Sequence, residues 1–110
     1  MIVRISWARI RPGAWPSVEQ KYRELNEIPI AGFLGRLVTQ DVNDPENLYT
    51  LTLWEDLASV RAWEASPDFE SLFVAAIIPY VVGSFSVSFC EVKVSELAGL
   101  KAFIERRQET

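Results

Sequence analysis

Apolar and polar residues alternate in four segments of the chain, and this period of two is that of a β-strand. In the first segment, Val3, Ile5 and Trp7 alternate with polar or small residues. The predicted strands are residues 2–10, 32–40, 47–55 and 84–94. The stretch 41–45 combines Asp, Asn and Pro, whose turn chemistry predicts a hairpin between the second and third strands.

Between these strands, apolar residues recur every three or four positions, which predicts helices. The predicted helices are residues 16–27, 57–65, 67–82 and about 95–107. Asp56 and Ser66 are suited to cap the two middle helices through their side-chain oxygens. The order β-α-β-β-α-β, with the second helical region split in two and an extra C-terminal helix, predicts a ferredoxin-like α+β fold. Its sheet would have four antiparallel strands, with helices on one face.

The alternation also assigns side chains to two faces of the sheet. An apolar face is expected under the helices, and it collects Val3, Ile5, Trp7, Phe33, Leu37, Tyr49, Leu51, Leu53, Phe85, Val87 and Phe89. A polar face collects Arg4, Ser6, Arg36, Thr50, Thr52, Trp54, Ser86 and Ser88. We expect this polar face to pair with a second copy of the chain, since solvated strands usually carry more Lys and Glu. An ordinary solvated face is the alternative.

The composition fits one globular domain, because 49% of the 110 residues are hydrophobic. The chain has 4 Trp and 6 Phe, a heavy aromatic load that association would help to bury. The charged residues, with a net charge of -4, form no basic stripe, so nucleic acid is not an expected partner. The first ten residues lack signal-peptide features and the apolar run 72–82 is too short to cross a bilayer. A cytoplasmic protein without a membrane partner is therefore expected.

The chain contains no histidine and a single cysteine, Cys90. This removes the commonest haem ligand, the commonest general base near neutral pH and most zinc and non-haem iron sites. We therefore expect neither a metal site nor a cofactor.

Several short segments carry a resemblance to a known family. They are Gly13 after the first strand, 28–33 (IPIAGF), 41–45 (DVNDP), 53–56 (LWED) and 63–69 (WEASPDF). On these segments the chain resembles the antibiotic biosynthesis monooxygenase (ABM) family, within the dimeric α+β barrel superfamily. The resemblance predicts an ABM-like ferredoxin-like domain over residues 1–94 and a C-terminal helical extension over 95–110.

The resemblance implies a homodimer formed through the sheet, and a hydrophobic cavity between sheet and helices that holds a small aromatic or hydrophobic ligand. Some members of the family oxidise phenols or quinols with molecular oxygen and no cofactor, and others open haem. In the haem-opening branch, Trp63 matches, but Phe73 replaces the ligating His and Trp7 replaces an Asn. In the polyketide-oxidising branch, Trp54 matches a strand Trp, whereas Thr50 stands where Asn is expected.

The expected function is therefore binding of such a ligand, with cofactor-free monooxygenation of a phenolic or quinol-type substrate as the candidate reaction. The catalytic candidates are Trp54, Tyr49 and Tyr80, whose N–H and O–H groups could stabilise an anion. The candidate ligand-binding residues are Trp7, Phe33, Leu51, Trp63, Phe69, Phe73, Ile77 and Phe89. Arg4 and Arg36 could bind substrate anions, or form ion pairs within the dimer.

Two alternatives stay open. A non-catalytic ligand-binding or assembly module would have its cavity filled by Trp and Phe side chains, so that these form core. A haem binder would need Tyr or Cys90 as its ligand.

Overall fold

The computed structural model describes residues 1–108, which form an α+β fold with one antiparallel sheet. The strands are β1 Ile2–Ile10, β2 Phe33–Gln40, β3 Asn47–Trp54 and β4 Val81–Glu91. They lie in the order β2-β3-β1-β4, and every neighbouring pair is antiparallel. This arrangement confirms the predicted ferredoxin-like fold.

The helices are α1 Trp15–Leu25, α2 Leu57–Glu64, α3 Ala75–Ile77 and α4 Ala98–Gln108. The Asp56 side chain accepts a hydrogen bond from the backbone N–H of Ser59 at 2.8 Å, which confirms the predicted cap of α2. Just before β2, Gly32 has a φ of 76°, and a Cβ added there would collide with the side chain of Ser59. The start of β2 therefore packs tightly against the first turn of α2. No helix in the described part of the chain is long and apolar enough to cross a membrane.

The region between α2 and β4 is less regular than the single helix predicted for residues 67–82. Phe69–Val74 forms a π-helix, and a 3₁₀ turn over Ile78–Tyr80 follows α3. The predicted cap at Ser66 is present, because its hydroxyl oxygen accepts from the backbone N–H of Phe69 at 3.3 Å. β4 begins at Val81 rather than at residue 84, because Val81 and Val82 already pair with the end of β1.

The predicted assignment of the two sheet faces is wrong for most strands. In β1 and β3 the polar side chains lie under the helices: Thr50 and Thr52 are each 5% exposed, and Trp54 is 1% exposed. The apolar side chains of the same strands, which pair in register with one another, lie on the opposite side. This outer face consists of Val3, Ile5, Trp7, Leu37, Tyr49, Leu51 and Leu53.

The apolar side chains of β1 and those of β4 lie on opposite faces of the sheet, although each strand alternates regularly. Within β4 the alternation was right, and Val87 and Phe89 do lie on the helix side. The register, however, pairs Val87 with Ser6 and Phe89 with Arg4, rather than with the apolar residues of β1. The expectation that the polar face pairs with a second copy fails for the same reason, because the helices cover it.

The hydrophobic core lies at one end of the sheet. Its buried residues are Ile10, Ala14, Val18 and Leu48, with Trp15, Tyr22, Val38 and Tyr80 packed around them. This cluster joins α1 to the end of β1 and the start of β3. Farther along these strands Trp54, Val60 and Phe73 are also buried, and an open space remains between sheet and helices beside Trp54 and Phe73.

Candidate active site

A cavity of about 300 Å³ lies between the sheet and the helices. Its volume is at the low end of the range of about 300–1,000 Å³ that is usual for small-molecule sites. One of the residues that line the cavity is Phe85 of the edge strand β4, and its side chain is 57% exposed to solvent. Both polar and aromatic side chains form its walls.

The floor of the cavity consists of two neighbouring rungs of the sheet. In one rung, Arg36 of β2, Thr52 of β3 and Arg4 of β1 are register partners. In the next, Thr50 and Ser6 are partners. Directly paired residues of an antiparallel sheet point to the same side, so these five side chains share one surface.

Two of the floor residues differ in their hydrogen bonding. The Thr52 hydroxyl oxygen accepts from the indole N–H of Trp54 at 2.9 Å. The Thr50 hydroxyl oxygen is buried and has no hydrogen-bond partner within the described part of the protein. Leaving a buried polar group unpaired costs about 1–3 kcal/mol, so Thr50 holds unused bonding capacity at the cavity wall.

The roof of the cavity is aromatic. The ring of Trp63, from α2, makes edge-to-face contacts with Phe69 and Phe73, with centroids 5.9 and 5.1 Å apart. Both phenylalanines belong to the π-helix, whose i→i+5 hydrogen bonds give a wider turn than an α-helix. Phe69 and Phe73 are four residues apart on the same side of this turn, so both contact the same tryptophan and complete the roof.

Two arginines line the cavity, and their surroundings differ. Arg4 pairs with Glu64, with 3.4 Å between Nε and Oε2. Arg36 forms no ion pair with any carboxylate of the described residues. Its guanidinium lies 4.8 Å from the ring centroids of both Phe33 and Phe73, and its Nη1 donates to Asn26 Oδ1 at 2.8 Å.

Burial lowers the pKa of Arg36 from its ordinary value, the neighbouring Tyr22 raises it, and the charge of Arg4 lowers it. The group nevertheless stays protonated at neutral pH, because the arginine guanidinium does not lose its proton in proteins. Arg36 is therefore a half-buried cation that the protein itself does not neutralise.

A family model described as antibiotic biosynthesis monooxygenase matches residues 1–73. The chain belongs to this ABM family. The match runs from β1 into the π-helix, and so includes the three floor strands of the cavity with their Arg and Thr residues and the aromatic roof. A search of curated proteins gives no match.

Solved structures share the fold of this ABM chain. One described as an antibiotic biosynthesis monooxygenase is 24% identical, with a TM-score of 0.70, and the match covers 86% of this chain and 100% of that one. A conserved protein from Methanosarcina mazei Go1 is 19% identical (TM-score 0.72, coverage 84% and 92%). A mutant of SnoaB, a cofactor-independent oxygenase from Streptomyces nogalater, is 10% identical (TM-score 0.72, coverage 86% and 94%). At these identities the likeness concerns the fold.

The structure brings some of the predicted site residues together. Those whose side chains line the cavity of this ABM protein are Trp54, Trp63, Phe69, Phe73 and Ile77. Trp7 also borders the cavity, but it pairs with Tyr49 of the outer face, and its indole N–H donates to Asn47 Oδ1 at 3.1 Å. Phe33 lies directly behind the lining, in edge-to-face contact with Trp54 at 5.2 Å. Phe89 lies on the helix side of β4 as the partner of Arg4, but outside the cavity lining.

The remaining predicted residues lie elsewhere. Tyr49 and Leu51 belong to the outer face, away from the cavity. Tyr80 packs against the hydrophobic core. Cys90 is exposed and pairs with Val3 of the outer face, so it does not reach the cavity. Among residues 1–108, no group of three or more His, Cys, Asp or Glu side chains could hold a metal ion.

The sequence pattern placed Arg4, Arg36, Thr50 and Thr52 on the wrong side of the molecule, and Tyr22 was not among the predicted site residues. All five line the cavity. The available signal was that Trp54, the residue singled out by the family resemblance, shares a face with both threonines in one strand. Assigning that face to the cavity would have recovered the whole floor.

Proposed function

We propose that this ABM chain binds a small aromatic ligand in the cavity, and that it oxygenates a phenolic or quinol-type substrate with molecular oxygen and no cofactor. The observation that carries the proposal is the unpartnered, buried hydroxyl of Thr50 in a polar floor beneath an aromatic roof. A flat, apolar ring with a polar oxygen at its edge complements both surfaces.

The reaction needs little from the protein beyond binding and electrostatics. A phenolic substrate that has lost its proton is electron-rich enough to reduce oxygen directly. Oxygenation of a ring CH₂ group to a carbonyl places one oxygen atom in the product and releases the other as water, with both hydrogens. The enzyme contributes by orienting the ring, stabilising the anion and excluding water.

The proposed roles follow from the contacts of each residue. Trp63, Phe69 and Phe73 hold the ring of the substrate. The Thr50 hydroxyl donates to the oxygen that carries the developing charge. Trp54 acts as a positioning residue, because its indole N–H is engaged with Thr52 and is not free to bind substrate.

Oxygen uptake with anthrone as the probe tests this proposal. Wild-type protein is expected to consume oxygen above the rate without protein. Thr50→Val, which keeps the shape and removes the hydroxyl, should lower kcat/KM about tenfold, the value of one hydrogen bond to a charged group. The control is Thr39→Val, because Thr39 lies in β2 outside the cavity and its hydroxyl donates to the backbone oxygen of Tyr49.

Uptake no faster than in the absence of protein would contradict the oxygenase proposal and favour the non-catalytic ligand-binding module. The version of that alternative in which aromatic side chains fill the cavity does not agree with the structure, since they line an open space of about 300 Å³.

We also propose that the chain forms a homodimer through the outer face. Large apolar side chains there are partly exposed, with Leu37 at 48% and Tyr49 at 37%. Covering such a surface removes apolar area from water, which contributes about 25 cal/mol per Å². The partner surface is thus the apolar side of the sheet and not the polar side.

A further inference from the structure

The charges of the side chains that line the cavity do not sum to zero. Its lining includes three charged side chains, Arg4, Arg36 and Glu64. Because Arg4 and Glu64 pair with each other, Arg36 remains as an excess positive charge. This excess lies in a chain whose formal net charge is -4, so it is a local feature that does not follow from the overall composition.

Arg36 is also held in a fixed orientation. The rings of Phe33 and Phe73 contact its planar guanidinium, and Asn26 takes one hydrogen bond from Nη1. Nε and Nη2 have no hydrogen-bond partner among the described residues. These two nitrogens present parallel N–H groups, the arrangement that binds both oxygens of a carboxylate at once.

Thr50 supplies a second, independent observation. Its hydroxyl is on the adjacent rung of the floor, is 5% exposed and has no partner within the described part of the chain. The cavity thus offers a fixed cation and a separate neutral hydrogen-bonding group, next to an aromatic roof. A ligand that satisfies both needs a charged group and a second polar atom on a flat ring.

We propose that the natural ligand is an aromatic carboxylate whose carboxylate group binds the Nε–Nη2 edge of Arg36. The ring lies between the floor and the Trp63–Phe69–Phe73 roof, and a ring oxygen reaches Thr50. This inference rests on the ligand cavity of the proposed function and adds the chemical class of the ligand. The hydrogen bonds from a bound carboxylate would also replace the bonds to water that the half-buried guanidinium has lost.

A pair of matched probes tests the inference: 1-naphthoate and its neutral methyl ester. Trp54 and Trp63 line the cavity, so quenching of tryptophan fluorescence reports binding of both probes. Wild-type protein should bind naphthoate about ten to a hundred times more tightly than the ester, the value of a charge-assisted hydrogen-bonded pair.

Variants assign this preference to Arg36. Arg36→Gln should lower the affinity for naphthoate to that for the ester and leave the affinity for the ester unchanged. Arg36→Lys, which keeps the charge without the paired N–H groups, should give an intermediate value. Arg23→Gln is the control, because Arg23 is an exposed cation of α1 that pairs with Glu19.

The outcomes distinguish a wrong ligand class from the absence of ligand binding in the cavity. Equal binding of both probes to wild-type protein would overturn the aromatic carboxylate and leave the ligand cavity in place. Loss of naphthoate and ester binding in equal measure in a folded Arg36→Gln protein would also overturn it. Failure of wild type to bind either probe would overturn both proposals. The wild-type comparison decides by itself if Arg36→Gln does not fold.

Discussion

Single residues of the site show what a linear pattern can and cannot predict. The family resemblance selected Trp54, and that residue does lie in the cavity wall, but its indole N–H already bonds to Thr52. Whether a strand residue faces the helices depends on its partners in neighbouring strands. Alternation within one strand carries no information about the partners of that strand. For this reason the predicted side of the sheet was wrong for Arg36 and Thr50.

At Gly32, backbone conformation and close packing coincide, and the two can be separated. Gly32 and Gly83 have nearly the same φ, 76° and 75°, but a Cβ meets Ser59 only at Gly32. We predict that Gly83→Ala costs about 1–2 kcal/mol, the strain of a left-handed alanine, and that Gly32→Ala costs more. Urea unfolding of both variants measures the difference.

The double variant Gly32→Ala/Ser59→Gly is the control, since it removes the side chain that the new methyl group would strike. Relative to Ser59→Gly alone, which loses the bond from the Ser59 hydroxyl to Asp56, the added Gly32→Ala should cost only the strain of the backbone. Equal destabilisation by Gly32→Ala and Gly83→Ala would show that contact with Ser59 is unimportant.

At the scale of elements, the alternation within a strand predicted its bounds well. Features that depend on residues distant in sequence were not predicted. β1 has the predicted bounds, and β2 and β3 differ from theirs by a single residue, because alternation is a local property. β4 starts earlier because Val81 pairs with Ile10, far away in sequence. The π-helix was missed because an apolar spacing of three to four residues fits both helix types.

The cap of α2 gives a prediction for pH dependence. Hydrogen bonds from the side chain and the backbone N–H of Ser59 lower the pKa of Asp56 below its ordinary value. A folded-state pKa below the unfolded one stabilises the protein above the unfolded pKa of about 4, and this stabilisation is lost as the pH falls through the folded value. Asp56→Asn keeps a capping oxygen but has no charge to titrate.

Thermal unfolding of wild type and Asp56→Asn should therefore differ more at pH 7 than at pH 2, with wild type the more stable at pH 7. The other carboxylates are common to both proteins and cancel in the comparison. A constant difference in Tm across this range would contradict a lowered pKa of Asp56 in the folded protein.

At the scale of the whole molecule, the sheet has a covered polar side and an uncovered apolar side. This is the reverse of what the composition of the faces suggested, because here the helices enclose an open cavity with a polar floor. The outer face is therefore the surface on which association should depend.

We predict that wild-type protein has twice the mass of its 12.5 kDa chain at micromolar concentration, and that Leu37→Lys converts it to a monomer. Leu37 is 48% exposed, so a lysine there fits the isolated chain but would bring two like charges into the dimer. Light scattering after gel filtration gives the masses. Val42→Lys, in a loop where Val42 is 93% exposed, should leave the dimer intact, and a wild-type monomer would refute the proposed interface.

The alternation of β3 has a consequence for how such proteins can diversify. Thr50 and Thr52 face the cavity, whereas Tyr49, Leu51 and Leu53 face outward. Under the proposed function and the proposed dimer, substitutions at the cavity positions change ligand binding without altering assembly, and substitutions at the outward positions do the reverse. Loss or gain of a single residue within the strand would exchange the two sets and damage both properties together. Divergence along this strand is therefore expected to proceed by replacement of residues and not by change of length.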